Sequence, residues 1–94
     1  MTASAHDRST ALDLSREEAW VVHAAVLDAI ERESDDDDAS EERTLLRALE
    51  TGDDFDHEQL RLLRRIVSTY LDDAPSRDGR PGRAALRDIE LALA

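Results

Sequence analysis

Residues 55–75 read FDHEQLRLLRRIVSTYLDDAP, and the way this stretch opens and closes decides the fold. Asp56 stands where a helix N-cap belongs, Gln59 follows three residues later as the other half of a capping box, and Phe55 is set to staple onto Leu60. Leu60, Leu63, Ile66, Val67, Tyr70 and Leu71 then recur at three- and four-residue spacing, which is one apolar face of a helix. Pro75 forbids continuation much beyond Asp73, so the pattern predicts a helix over 57–73.

Upstream, Leu45, Leu46 and Leu49 form the apolar stripe of a shorter helix over 41–50, with acids at its positive end and Thr51-Gly52 closing it. Further back, Ser15 and Glu18 make a second capping box with Leu14 placed to staple onto Ala19. That box predicts a helix over 16–33 whose core face is Ala19, Val22, His23, Val26, Leu27 and Ile30. Downstream, Ser76 to Arg80 reads as a loop with a turn at Asp78-Gly79, and Pro81 suits the first position of a last helix over 81–93. Ala85, Leu86, Ile89, Ala92 and Leu93 are its apolar positions. The expected fold is all-α, a compact antiparallel four-helix arrangement without a sheet. Residues 1–11 are expected to be a flexible tail and 12–94 a single helical domain.

Composition narrows the chemistry. A chain of 94 residues has room for one core, and with Trp20, Phe55 and Tyr70 as its only aromatics that core must be aliphatic. Without cysteine there is no disulfide, thiolate metal site or thiol nucleophile. No apolar run approaches a membrane span and Met1 to Ser9 lacks a secretory pattern, so a cytoplasmic setting without membrane association is expected. Against 23 acids stand 12 bases, every one an arginine, for a net charge of -11. Self-repulsion of that size opposes compaction in dilute buffer, but in molar salt the Debye length falls to about 3 Å and distant charges stop interacting. The composition therefore suits brine, although a high-GC genome also favours Arg, Ala and Asp.

The four aspartates Asp35–Asp38 invite a calcium reading, but the EF-hand spacing refuses it: counted from Asp35, the glycine and glutamate places hold Ser40 and Leu46. A hydrated linker is the plainer reading. His23, one turn after Trp20, is the one imidazole expected to be buried, and Ala19 and Leu27 at its four-residue neighbours leave it no second metal ligand. A hydrogen-bonded core or interface histidine is the expectation. Arg61, Arg64 and Arg65 cluster on the third helix, and Arg77, Arg80, Arg83 and Arg87 gather around the last. A helix-turn-helix built from 41–50 and 57–73 would turn Asp53, Asp54, Asp56 and Glu58 toward a DNA backbone, which weighs against it. Pairing of these arginines with the acidic helices, within one chain or across a dimer, is the plainer alternative. No Gly-rich phosphate loop, nucleophile motif or metal-ligand cluster appears, so no catalytic residue, metal or cofactor is expected and the chain is not read as an enzyme.

LSREEAWVVHAAVLDAIE, LLRALETGDDFDHEQLRLLRRIVSTYLDDAP and SRDGRPGRAALRDIELAL together resemble a family of small, uncharacterised acidic proteins of haloarchaea. The resemblance rests on Glu17-Glu18-Ala19-Trp20 with His23, the turn from Gly52 to Phe55, and the Tyr70 to Pro75 ending followed by Arg77-Asp78. It implies a salt-adapted, cytoplasmic helical protein and assigns no activity. The expected function is a protein-interaction module or homodimeric subunit, its partner a second copy or another protein. The residues expected to carry it are Trp20, His23, Arg61, Arg64, Arg65 and Tyr70. The alternative is a nucleic-acid-associated accessory factor using the C-terminal arginines.

Overall fold

The computed structural model describes residues 10–32 and 40–94. The acidic run Asp35–Asp38 and residues 1–9 of the expected tail lie outside the described residues. The elements are α1 Arg16–Arg32, α2 Ser40–Thr51, α3 His57–Asp73 and α4 Ser76–Leu93. Among the described residues there is no strand or sheet, and the arrangement is all-α as the sequence predicts.

Local chemistry sets most of the boundaries. At the start of α1, the Glu18 backbone N–H donates to Ser15 Oγ and the Ser15 N–H donates to Glu18 Oε1, both at 3.1 Å. At the start of α3, Gln59 N–H donates to Asp56 Oδ1 at 2.8 Å and Asp56 N–H donates to Gln59 Oε1 at 2.9 Å. Between them, α2 ends on Gly52 at φ +77°, and the Gly52 and Asp53 N–H groups both donate to the Ala48 carbonyl. A single antiparallel bridge ties Thr10 to Phe55 through two backbone hydrogen bonds of 2.8 and 2.9 Å, so the entering chain is fastened to the α2–α3 turn.

The last helix departs from the sequence expectation. Residues 76–80 are its first turn rather than a loop, and Pro81 lies inside it. Pro75, extended at φ -56° and ψ 148°, is the cap, and the Asp78 N–H closes back on the Pro75 carbonyl at 2.9 Å. Pro81 forfeits the bond its missing N–H would have made to the Arg77 carbonyl, and its ring crowds that carbonyl. Two contacts offset that loss: Tyr70 Oη donates to Asp78 Oδ2 at 2.8 Å, and Gly82 lets α4 settle directly on Leu71 of α3 and Val21 of α1.

The core is aliphatic. Val22 and Val26 of α1, Leu45 of α2, Leu60, Leu63 and Val67 of α3 and Ile89 of α4 are its largest fully buried side chains. α1 packs against all three other helices, α3 and α4 form the most extensive pair, and α2 leans chiefly on α1. The smallest dimension, 21 Å, is that of two helical layers, each about 10 Å thick. The buried face of α1 is Val21, Val22, Ala25 and Val26, turned from the predicted Ala19, Val22, His23, Val26, Leu27 and Ile30. The cause is geometric: with three neighbours to meet, α1 presents its small and β-branched side, where Val21 and Ala25 allow close approach.

Candidate functional site

Turning α1 in this way leaves apolar side chains on its outer side. Trp20 is 73% exposed and Leu27 38% exposed, two turns apart on the stripe opposite the core. His23 lies between them, and its ring stacks on the Trp20 indole with centroids 6.1 Å apart and planes at 13°. Its Nε2 meets Glu50 Oε2 of α2 at 3.3 Å. The expectation of a buried histidine is corrected by this arrangement: His23 is half-buried at the rim of the α1–α2 contact, because the core face of α1 is Val22 and Ala25.

On the other flank of Trp20 runs a groove of about 500 Å³, lined by Trp20, Val21, Tyr70, Pro75, Asp78 and Pro81 among others. Tyr70 reaches it from the last turn of α3. Burial pushes the Tyr70 phenol above its ordinary value, and the hydrogen bond to the Asp78 carboxylate adds to the rise. The groove offers two aromatic rings, two prolines and acceptor oxygens.

The arginines expected alongside these aromatics lie elsewhere. Arg61 and Arg65 share a second groove, of about 470 Å³, with Glu41, Asp56 and Glu58. Arg64 is exposed on α3 and lines neither groove. Intrachain pairing with the acidic helices does not account for them: among the described residues, Arg61, Arg64, Arg65, Arg80, Arg83 and Arg87 have no carboxylate within salt-bridge distance, whereas Arg32 holds Asp28 at 2.8 Å. The six expected residues thus divide into an aromatic end, Trp20, His23 and Tyr70, and a separate arginine face on α3.

Residues 12–90 match the family described as Family of unknown function (DUF7853). The chain belongs to this family. No curated protein and no solved structure matches it. The matched region takes in α1, α2, α3 and most of α4 of this DUF7853 chain, together with Trp20, His23, Tyr70 and the arginines of α3.

One feature of the DUF7853 chain escapes a reading by residue type. Glu42, in the first turn of α2, is only 7% exposed, and its Oε1 has no hydrogen-bond partner among the described residues. It borders a cavity of about 170 Å³ shared with Asp28, Arg32 and Arg65. The signal was present in the spacing: Leu45, Leu46 and Leu49 continue backward by three residues onto Glu42. Among the described residues no three His, Asp or Glu side chains converge as a metal site would need, and no helix is long and apolar enough to cross a membrane.

Proposed function

We propose that this DUF7853 chain is a protein-interaction module that docks through the outer face of α1 and does no chemistry of its own. The observation that carries the reading is Trp20, the chain's only tryptophan, held 73% exposed with its ring in offset parallel stacking with His23. Leaving a large aromatic in water forgoes roughly 2 kcal/mol of burial, and tryptophan is the residue most enriched among interface hot spots. Tyr70, Pro75 and Pro81 extend this surface along the adjoining groove. The excess of acids and the absence of lysine support a salt-adapted, cytoplasmic setting, in which high salt screens repulsion and strengthens apolar docking.

The test compares wild type with Trp20→Ala, by sedimentation of the purified chain and by capture from host lysate in molar KCl. Loss of the associated species, whether a second copy or another protein, is the expected result. An identical set of associated species in both would overturn the reading.

A second reading draws on Arg80, Arg83 and Arg87, which recur at three- and four-residue spacing as an exposed stripe on α4 without an intrachain ion pair among the described residues. Such a stripe suits a phosphate backbone. Three contacts predict a slope of about -3 for log affinity against log salt on duplex DNA, and a flat response refutes it.

A further inference from the structure

The outer face of α1 is self-complementary. At about 100° per residue, Arg16, Trp20, His23, Leu27 and Glu31 fall within an arc of about 80°, directly opposite the buried Val22 and Ala25. The stripe is ordered basic, aromatic, imidazole, aliphatic, acidic. Turned end for end about a two-fold axis between residues 23 and 24, it sets Trp20 against Leu27 of a second copy and Arg16 against that copy's Glu31.

We propose that the occupant of this face is a second copy of the chain, packed α1 against α1 in antiparallel fashion with Trp20–Leu27 and Arg16–Glu31 contacts, each made twice. The proposal rests on the docking role of α1 argued above and names its partner. Charge complementarity supports it in two ways. Arg16 is exposed in the first turn of α1 and Glu31 is exposed in the last, and neither has an ion-pair partner among the described residues. Each also stands at the wrong end of its own helix, a cation at the positive pole and an anion at the negative pole. An antiparallel neighbour corrects both at once, because it brings the opposite pole and the opposite charge to the same place. The apolar centre supplies attraction without direction, and the charged ends fix the register. Two-fold pairing of one patch with itself is the commonest way for identical chains to associate.

The experiment is sedimentation equilibrium on the purified full chain, at about 0.15 M KCl, where the Debye length of about 8 Å leaves a contact pair largely unscreened, and at about 2 M, where it does not. The variants are Trp20→Ala, Arg16→Glu, Glu31→Arg and the double swap, with circular dichroism confirming helix content. Wild type is expected to dimerise, more tightly in 2 M than in 0.15 M KCl because two chains of charge -11 repel at low salt. Trp20→Ala is expected to weaken the dimer by about 100-fold or more. At 0.15 M each single reversal is expected to raise the dissociation constant roughly tenfold, and the double swap to restore it to within about threefold of wild type. The single reversals each suit their own helix dipole better, so the monomer gains stability while the dimer weakens, which misfolding would not produce. A wild type that stays monomeric at every concentration overturns the second copy as partner while leaving the docking face itself to be judged by capture. A dimer that responds to Trp20→Ala but is not restored by the double swap overturns the antiparallel register. A dimer indifferent to Trp20→Ala overturns both the proposal and the docking role of α1.

Discussion

Replacing Gly82 by alanine is expected to destabilise the protein, although alanine is the better helix former. Gly82 is buried inside α4, where exchange for alanine alone would gain about 1 kcal/mol in propensity. Against that gain stands the space. A Cβ built there falls inside van der Waals contact of Leu71 Cδ2 and within 3.3 Å of both Leu71 Cγ and Val21 Cγ1. Leu71 is half-buried and can swing its end aside at the cost of some burial, but Val21 is β-branched, 3% exposed and fixed on the central helix. Overpacking of this kind costs roughly 2–3 kcal/mol, so the net loss is about 1–2 kcal/mol. Gly79, one turn earlier, is the internal control. Its Cβ would meet only the Arg83 guanidinium, 3.1 Å away at the far end of a flexible exposed side chain. Gly79→Ala is therefore expected to stabilise by roughly 0.5–1 kcal/mol. Urea unfolding followed by circular dichroism measures both, as opposite shifts of the midpoint at unchanged slope. Equal shifts of the same sign in the two variants would refute the close packing of α4 on α3 and α1.

Three further outcomes are expected. Glu42→Met removes a buried carboxylate oxygen without a partner, worth about 1–3 kcal/mol, and gives up a helix N-terminal charge worth about 0.3–1 kcal/mol; a net gain of about 1 kcal/mol should appear in the urea midpoint, and a loss would mean that the carboxylate is paired across its cavity. Tyr70→Phe removes the bond to Asp78 and should cost about 1–2 kcal/mol. The folded state holds the Tyr70 proton more tightly than the unfolded chain, so the stabilisation is complete below about pH 10 and lost as pH rises through the folded value; wild type should therefore lose stability at alkaline pH more steeply than Tyr70→Phe, and identical profiles would contradict this. Asp56→Ala and Ser15→Ala each remove half of a capping box and should lower stability by about 1 kcal/mol, read as a melting shift of roughly 4–8 °C.

Features that depend on neighbouring residues were legible in the sequence. Both capping boxes, the Gly52 ending and the span of α3 are local agreements between side chain and backbone, and they hold because nothing distant competes with them. Phe55, Leu60, Leu63, Ile66 and Val67 were equally plain, since polar positions between them fix the phase of the helix. The phase of α1 was not, because AWVVHAAVLDAI is apolar on nearly every side and the choice of face was left to the three helices around it. The start of α4 is masked in the sequence because Pro81 and Asp78-Gly79 are strong local signals of a loop, outweighed here by Tyr70, Leu71 and Val21, which are remote from them along the chain or belong to other helices. For the site, spacing placed Trp20 and His23 side by side, but whether they faced core or water rested on that same undecided phase. The arginines of α3 clustered in sequence without joining the aromatic end, because Tyr70 turns toward α4 while Arg61 and Arg65 face the groove with Glu41.

The uneven sharing of neighbours among the helices bears on how the molecule breathes. α2 rests chiefly on α1, whereas α1, α3 and α4 are each held by one another. Peeling α2 away would cost Leu45, Ala48 and the Glu50 contact to His23 but leave a three-helix remnant with most of its buried side chains in place. Its amides should then trade hydrogen for deuterium through a partial opening cheaper than global unfolding, while those of α3 exchange only when the whole structure melts. Each such opening would release the Glu50 tether on the His23 ring and bare the second flank of α1, so the least anchored helix governs how much of the most connected one is on offer.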